Sequence, residues 1–407
     1  AMGSAVDTVR ATVDALMAAG ERVGVLAVRL YRPFPAEALA AALPQTVKSV
    51  AVLDRVKEPG ALGEPLFLDV VAALAELREN PPKVIGGRYG LGSKEFTPRD
   101  ASAVFAELAK GRAAKRRFTV GIVDDVTGLS LDTDPSFAVP TQARQAVFYG
   151  LGSDGTVGAN KNSVKLIGEH TDLFAQGYFV YDSKKSGSVT VSHLRFGPEP
   201  ITAPYLIEDA DFVAVHNFGL LSRMPVLDIA APGATVLLAA SYSGDELWEH
   251  LPASIQAQIV AKQLKVFTID AAAVAKAAGL GRRVNTVMQA CFFALAGVLP
   301  TDEAIELIKA SAAETYARRG TDVVAANLTA IDTAVGGLQS VRIGEVSAAA
   351  PTAASASGDA LQATIATLIA GQGDRLPVSA LPADGTFPTG TAKLEKRGLA
   401  TELPTWD

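Results

Sequence analysis

The sequence contains very little cysteine and histidine, which excludes several kinds of site. One residue in 407 is cysteine, Cys291, so an intrachain disulfide cannot form. A cysteine-held iron–sulfur cluster or zinc ion is excluded as well, because each needs several thiolates. The four histidines, at positions 170, 193, 216 and 250, are scattered without the close spacing of metal ligands. The sequence therefore predicts no metal site in this chain.

The chain also lacks an excess of positive charge and long apolar runs. Its formal net charge of −6 at pH 7 argues against a primary role in binding nucleic acid. No uninterrupted apolar segment is long enough to cross a membrane, and no signal-peptide pattern is present. We therefore expect a cytoplasmic protein without membrane or nucleic-acid partners. Residues 1–4, Ala-Met-Gly-Ser, resemble a cloning scar, which would make the chain an excised piece of a longer protein.

Apolar runs of strand length alternate with amphipathic stretches of helical period along most of the chain. This alternation predicts mainly parallel sheets covered by helices on both faces. The predicted strands are 24–30, 49–54, 83–89, 118–124, 146–149, 177–182, 188–195, 211–217, 234–240 and 265–270. The predicted helices are 7–20, 35–43, 65–78, 245–262, 271–278, 284–298, 302–319 and 322–335.

The pattern divides into two α/β domains and a C-terminal arm. The first domain is predicted at 5–112 and the second at 117–342, with a basic surface linker between them. Residues 343–375 are predicted to form a linker region, because part of it is rich in alanine, serine and threonine. Residues 376–407 carry four prolines and are too few to bury a core of their own. They are predicted to wrap another surface as an extended arm.

One segment has the pattern of a phosphate-binding loop. Gly150, Gly152 and Gly155 fit G-x-G-x-x-G between an apolar run and a helical pattern. Such a loop lets backbone N–H groups approach a phosphate at the positive end of a helix. Lys161 and Lys165 add positive charge beside it. A glycine-rich turn that merely packs a helix on a sheet would give the same spacing.

A pair of lysines, Lys184 and Lys185, follows the next predicted strand. Asp182 at the end of that strand lies too far along the chain for the usual carboxylate contact to a ribose. Two lysines suit an additional phosphate on the ligand, and both NADP and coenzyme A carry one. The alternative is a solvated lysine turn, so the residues alone leave the ligand open.

Three further polar groups lie at predicted strand ends. Arg195 precedes a Gly-Pro turn, where α/β proteins place ligand groups, although a structural salt bridge is equally consistent. Asn217 ends a neighbouring strand and would either line the same crevice or cap a turn. The charged loop 54–58 is interpreted as an interface to other domains and not as a catalytic set. No Ser-His-Asp or Cys-His arrangement is recognisable, so no catalytic residue is expected here.

Several segments resemble, in order, consecutive domains of pyruvate:ferredoxin (flavodoxin) oxidoreductase. The segments that resemble domain II, itself similar to the C-terminal domain of transketolase, are 30–35, 52–60, 63–66 and 86–98. Residues 148–161 and 192–198 resemble the gamma-type domain that follows. Leu394-Glu-Lys-Arg397 lies in a tail similar to the short Glu-Lys-Arg domain, assigned here to 376–407. The resemblance covers nearly all of the chain after residue 4 and implies a central fragment of such a protein.

The resemblance implies an enzyme that decarboxylates pyruvate on thiamine diphosphate, passes electrons through iron–sulfur clusters and makes acetyl-CoA. Thiamine diphosphate, its Mg²⁺ and the clusters would lie on thiamine-binding and ferredoxin-like domains that this chain lacks. Those domains would be its partners, within a homodimer that reduces ferredoxin or flavodoxin. This fragment alone is expected to be inactive, and the 2-oxo acid it serves stays open.

In the family, the gamma-type domain helps to bind coenzyme A and moves against the thiamine domains. The resemblance implies a pyrophosphate at Gly150, Gly152, Ser153, Asp154, Gly155, Thr156 and Lys161, and a ribose phosphate at Lys184 or Lys185. Asp154 is unfavourable beside phosphate, so it is expected to face outward or to cap a turn. Two alternatives are a purely structural or dimerisation fragment and an NADP-binding module.

Overall fold

The computed structural model describes residues 1–181, 187–281, 283–347 and 360–394. The chain forms two compact units. Among the described residues, the first unit comprises 1–141, 202–206 and 360–394, and the second comprises 142–181, 187–201, 207–281 and 283–347. None of the helices in the described ranges combines the length and apolar composition needed to cross a membrane.

Helices and strands alternate as the sequence pattern predicts. The α-helices are α1 Ala5–Ala18, α2 Ala36–Ala42, α3 Pro65–Leu77, α4 Pro98–Ala109, α5 Thr156–His170, α6 Leu247–His250, α7 Ala253–Ala261, α8 Ala271–Ala277, α9 Asn285–Ala296, α10 Thr301–Tyr316, α11 Thr321–Ala334 and α12 Ala360–Ile369. The strands are β1 Ser49–Asp54, β2 Lys83–Arg88, β3 Arg117–Thr119, β4 Arg144–Leu151, β5 Phe174–Tyr181, β6 Val189–Gly197, β7 Ala210–Val215, β8 Ala230–Ala239, β9 Lys265–Ile269 and β10 Gln339–Ser340.

The first unit is built on a parallel sheet in the order β1-β2-β3. Val52 and Leu53 are successive residues of β1 and enter two different apolar clusters, because side chains alternate across a strand. Helices α1 and α4 cover one face of the sheet, and α2 and α3 cover the other. Strand β3 pairs with β2, so Arg117–Thr119 belongs to the first unit. The predicted boundary at 112–117 therefore lies too early, and the chain passes to the second unit after Thr141.

Residues 24–30 do not form the predicted strand. The segment has no partner strand among the described residues, although Val28 N–H donates to the carbonyl of Ala1 at 3.0 Å. The Ala1 ammonium in turn donates to the carbonyl of Leu26 at 3.1 Å. A short apolar run indicates that its side chains are buried, and Val28 is buried. A β-strand also requires a neighbouring strand, which an apolar run does not indicate. The interpretation of residues 1–4 as a cloning scar stays a prediction.

The C-terminal segment of the described chain lies on the first unit. The predicted linker 343–375 contains helix α12, and short turns follow it. Val378 N–H donates to the carbonyl of Val123 at 2.9 Å, and Ser379 N–H donates to Asp125 Oδ1 at 3.0 Å. The described part of the predicted arm is therefore bonded to its own chain. The Glu-Lys-Arg signature at 395–397 lies outside the described residues.

The second unit is built on a seven-stranded sheet in the order β10-β9-β8-β7-β4-β6-β5. Strands β4, β7, β8 and β9 are parallel, β6 is antiparallel to both β4 and β5, and β10 is antiparallel to β9. Helices α5 and α8 to α11 cover one face, and α6 and α7 cover the other. Together the two units confirm the prediction of an α/β fold with mainly parallel sheets.

The predicted helix 245–262 is divided into α6 and α7 by Pro252. Proline cannot donate the backbone hydrogen bond that a continuous helix would need at this point.

The connections of the second sheet create a topological switch point. From β4 the chain runs through α5 towards the β5 side of the sheet, whereas from β7 it runs towards β8 on the other side. In open α/β sheets the crevice at the carboxyl ends of two such strands is the usual ligand site. Here that crevice lies where β4 meets the glycine loop and β7 meets His216.

Candidate functional site at the glycine loop

The glycine loop joins the end of β4 to the first turn of α5. Gly155 has a φ of +91°, in the left-handed region that glycine adopts without strain. Gly152 N–H donates to the carbonyl of Ser188 at 2.7 Å, which holds the loop to the start of β6. The predicted strand, loop and helix are therefore present, and the helix N-terminus lies at the switch point.

Asp154 closes the loop on itself. Its Oδ2 accepts from Leu151 N–H at 2.7 Å, and its Oδ1 accepts from Thr156 N–H at 2.8 Å. Asp154 thus caps a turn, which is one of the two placements the sequence indicated. The carboxylate also takes up one N–H group of the first helical turn. Val157 and Gly158 follow, and helix geometry gives their N–H groups no acceptor inside α5.

Gly150 makes room for this closed loop. A Cβ atom at Gly150 would overlap Thr156 Oγ1 and would lie 2.8 Å from Asp154 Oδ2. A Cβ atom at Gly155 would lie 2.8 Å from the Cγ of Asn285, at the start of α9. Both glycines are therefore required for close packing of the loop, whether or not it binds a ligand.

Space is open above the first turn of α5. Gly158 is exposed, and no described residue lies within 4 Å of a Cβ atom built on it. A helix N-terminus carries partial positive charge from its aligned peptide dipoles. The described residues therefore leave the side of the first turn next to Gly158 open.

Thr156 and His216 form a buried hydrogen bond beneath the loop. Thr156 Oγ1 and His216 Nδ1 lie 2.8 Å apart. Burial lowers the pKa of His216 to about 4, and the nearby carboxylate of Asp154 opposes this shift only partly. The ring is therefore neutral near pH 7. Its Nε2 atom is buried and has no hydrogen-bond partner among the described residues.

The sequence pattern showed His216 only as one of four scattered histidines and did not predict this contact. A signal was available, because His216 follows β7 directly and Tyr149 pairs with Val215 in the parallel register. That register puts His216 beside Gly150. It can be recognised only once β7 is known to neighbour β4.

The two described lysines near the loop, Lys161 and Lys165, make contacts further along α5. The ammonium group of Lys161 lies over the Phe179 ring, 5.4 Å from its centroid. Lys161 is five residues beyond Thr156, or about 7.5 Å along the helix axis. Lys165 pairs with Glu169 at 3.9 Å. Lys184 and Lys185 lie outside the described residues.

Arg195 lies at the opposite edge of the sheet from Asn217 and the loop, so the crevice suggested for Arg195 and Asn217 together does not form. The register places Arg195 opposite Gln145, six residues before Leu151 on β4, or about 20 Å from the loop. The reason is that β6 is antiparallel to β4, so its carboxyl end lies at the opposite edge of the sheet. The guanidinium of Arg195 is buried and donates to Gln145 Oε1 and Gln176 Oε1, each at 3.1 Å.

Asn217 lies at the loop's edge of the sheet, two residues after the end of β7. Its Oδ1 accepts from Gly219 N–H at 3.0 Å and caps the short 3-10 turn Phe218–Ser222. The structure therefore gives Asn217 the turn-capping role that the sequence offered as an alternative, in a position next to the switch point.

Asp54 has a structural role in the first unit. Its carboxylate accepts from the N–H groups of Leu66 and Phe67 at 3.0 and 3.1 Å and caps helix α3. Burial raises its pKa. The interface role predicted for the loop 54–58 stays a prediction.

Two further groups carry no evident chemistry. Cys291 is buried in α9, and burial raises the pKa of its thiol to about 12, so it is not a reactive thiolate. Within the described part of the chain, no three His, Cys, Asp or Glu side chains are grouped as metal ligands would be.

Three family models match successive parts of the chain. Residues 1–101 match pyruvate:ferredoxin oxidoreductase core domain II, and residues 145–336 match pyruvate ferredoxin/flavodoxin oxidoreductase. Residues 347–400 match a domain of unknown function designated EKR.

Curated relatives match the chain from end to end. The pyruvate-flavodoxin oxidoreductase of Rhodospirillum rubrum is 54% identical over 100% of this chain and 35% of its own length. The pyruvate:ferredoxin oxidoreductase of Moorella thermoacetica is 48% identical over 100% of this chain and 35% of its own length. The chain belongs to the pyruvate:ferredoxin (flavodoxin) oxidoreductase family. This confirms the resemblance, and the chain is a fragment that spans about a third of the length of these relatives.

Two of the solved structures that are similar to this chain each cover about half of it. The pyruvate oxidoreductase subunit PORC of Thermotoga maritima is 16% identical over 50% of this chain and 100% of its own length, with a TM-score of 0.40. The gamma subunit of a keto/oxoacid ferredoxin oxidoreductase of Geobacter sulfurreducens is 14% identical over 49% of this chain and 100% of its own, with a TM-score of 0.36.

Proposed function

We propose that this chain is part of a cytoplasmic enzyme that converts pyruvate to acetyl-CoA and CO2 and reduces ferredoxin or flavodoxin. The supporting observation is the 54% identity with a pyruvate-flavodoxin oxidoreductase over the whole chain. Thiamine diphosphate, Mg²⁺ and the iron–sulfur clusters would belong to the rest of that polypeptide, because one cysteine cannot hold a cluster. The chain alone would be inactive.

Within that enzyme, the second unit would bind the pyrophosphate of coenzyme A at the glycine loop. The position of the loop at a topological switch point, with open space above Gly158, supports this role most directly. Val157 and Gly158 N–H groups would contact the phosphate. Asp154 and Thr156 would act by shaping the loop.

Binding of a phosphate at the loop requires positive charge to offset the carboxylate of Asp154. The carboxylate of Asp154 lies inside the loop and repels a phosphate. The helix dipole and a flexible lysine would have to offset that repulsion. Lys161 could reach the ligand by leaving the Phe179 ring, and Lys184 or Lys185 would bind the ribose phosphate. Movement of this unit against the thiamine domains would then gate access to the reaction.

Calorimetric titration of the chain with coenzyme A, dephospho-coenzyme A and NADP tests this role. Tighter binding of coenzyme A than of the dephospho form would support a ribose phosphate on the lysines. Binding of NADP in preference would favour the NADP-binding module instead. If none binds, the same titration on the full-length enzyme distinguishes a site completed by the other domains from a purely architectural loop.

A second role, in dimer scaffolding, is supported by the apolar surface of the C-terminal arm. Leu381 is 50% exposed, and Val378, Phe387 and Leu394 are each more than 40% exposed. Several large exposed apolar side chains along one short segment suit an interaction surface. Sedimentation analysis of the full-length enzyme carrying Leu381→Ser and Phe387→Ser would show dissociation if the arm holds a dimer. An unchanged dimer would remove the arm from this role.

A further inference from the structure

Three restraints converge on Thr156, the first residue of α5. Its N–H donates to Asp154 Oδ1, its hydroxyl contacts His216 Nδ1, and its side chain fills the space left by the missing Cβ of Gly150. The bond to Asp154 is internal to the loop. The bond to His216 is different, because it joins the loop to a residue 60 positions along the chain.

His216 is itself firmly held. Its N–H donates to the carbonyl of Tyr149 at 2.8 Å, which continues the ladder between β4 and β7 past the last strand residue. The imidazole is 8% exposed and meets the ring of Phe148 edge-on, with the ring centroids 6.3 Å apart. The sheet therefore fixes the position of the imidazole independently of its contact with the loop.

We propose that His216 is a positioning residue, which fixes the first turn of α5 through the Thr156 hydroxyl so that the N–H groups of Val157 and Gly158 are aligned for an anionic ligand. This inference rests on the proposed binding of coenzyme A at the loop. His216 does not contact the ligand in this scheme, since its free ring nitrogen is buried. The sheet supplies the rigidity, and the histidine transfers it to the first turn of α5, in addition to the backbone bond from Gly152 to Ser188 that holds the loop to the start of β6.

Two matched pairs of variants separate the hydrogen bond from the packing. In His216→Asn the side-chain amide lies at the same distance from the backbone as Nδ1, so it can still bond Thr156. In His216→Gln the amide is displaced towards the position of Nε2 and the bond is lost. Thr156→Ser keeps the hydroxyl, whereas Thr156→Val removes it at nearly constant volume. The double variant His216→Leu with Thr156→Val replaces both polar partners and so avoids an unpaired buried group.

Amide hydrogen exchange tests the positioning role without any ligand. We expect His216→Gln and Thr156→Val to speed exchange at Leu151, Thr156 and Ala159 by about tenfold, or about 1.4 kcal/mol, while the asparagine and serine variants stay close to wild type. Exchange in strands β7 and β8 should not change. A uniform rise throughout the second sheet, or no change at the loop, would show that the histidine is only a packing residue and would overturn the proposal.

Titration of the same variants in the full-length enzyme tests the consequence for binding. Coenzyme A affinity should fall by about tenfold in His216→Gln and the double variant, and should be retained in His216→Asn. If the loop loosens but affinity does not change in any variant, the positioning role holds and the proposed coenzyme A site is wrong. If affinity falls equally in the asparagine and glutamine variants, the hydrogen bond is not the cause, and the proposal fails.

Discussion

Replacing Gly158 with leucine should block phosphate binding without harming the fold. The Cα–Cβ bond of a helical residue tilts towards the helix N-terminus, and a long side chain covers the turn that precedes it. A leucine at position 158 would therefore lie over the first-turn N–H groups. No described residue lies within 4 Å of the new Cβ, so we expect no clash there.

The expected changes in stability and affinity have opposite signs. Exchanging glycine for leucine in an exposed helix position should raise the free energy of unfolding by about 0.5–1 kcal/mol. Losing one charge-assisted hydrogen bond to phosphate should cost about 2 kcal/mol of binding free energy, or roughly thirtyfold in Kd. A loss of stability could not explain the weaker binding, because the Gly158 variant should be more stable than wild type.

The helix offers its own control. Gly168 also lies in α5, about 15 Å further along the axis, and a Cβ built on it has no neighbour within 4 Å in the described part of the chain. Gly168→Leu should gain similar stability and leave Kd unchanged. Calorimetric titration with coenzyme A and urea unfolding would be measured for both variants in the full-length enzyme. Equal affinity of the Gly158 variant and wild type would refute a phosphate at this helix end.

Three other predictions concern protonation and charge. Burial lowers the pKa of both His193 and His216 from 6.5 to about 4, and the unfolded chain binds protons at these sites at higher pH than the folded chain does. The free energy of unfolding should therefore fall as pH drops from about 6.5 to about 4. His193→Asn keeps an acceptor for Ile207 N–H. In urea titrations this variant should remove about half of the pH dependence of the free energy of unfolding. Alanine at Lys184 and Lys185 should weaken coenzyme A binding but leave dephospho-coenzyme A binding unchanged; an equal loss for both ligands would move the ribose phosphate elsewhere. Arg195→Gln should lower stability by about 1–3 kcal/mol in urea unfolding and leave the Kd for coenzyme A within about twofold of wild type, since the arginine lies at the far edge of the sheet.

The sequence was informative wherever the signal is local. Gly150 and Gly155 lie in a loop between a strand and a helix. The sequence predicts this because an apolar run, the glycines and a helical pattern follow one another within about 20 residues. The capping role of Asp154 was also within reach, since the residues it bonds are at most three positions away. Family membership was evident from motifs in the same way.

The sequence was less informative where burial and pairing must be told apart. Residues 24–30 are as apolar as a buried strand, and Val28 is buried, yet they join no sheet. Conversely, the strand predicted at 118–124 is assigned by the sequence pattern to the second domain, but Arg117–Thr119 pairs with β2 and completes the first sheet. Apolar periodicity records which side chains avoid water, and it does not identify the neighbouring strand.

By itself the sequence determined the α/β class, the glycine loop at a helix start and the family. Only the tertiary structure decided which polar residues share the loop's edge of the sheet. Strand β6 is antiparallel and carries Arg195 away from the loop, while the crossover to β7 brings His216 against Thr156. The physical reason is that the order and direction of strands depend on hydrogen bonds between segments far apart in the chain, and no local pattern of residues encodes those partners.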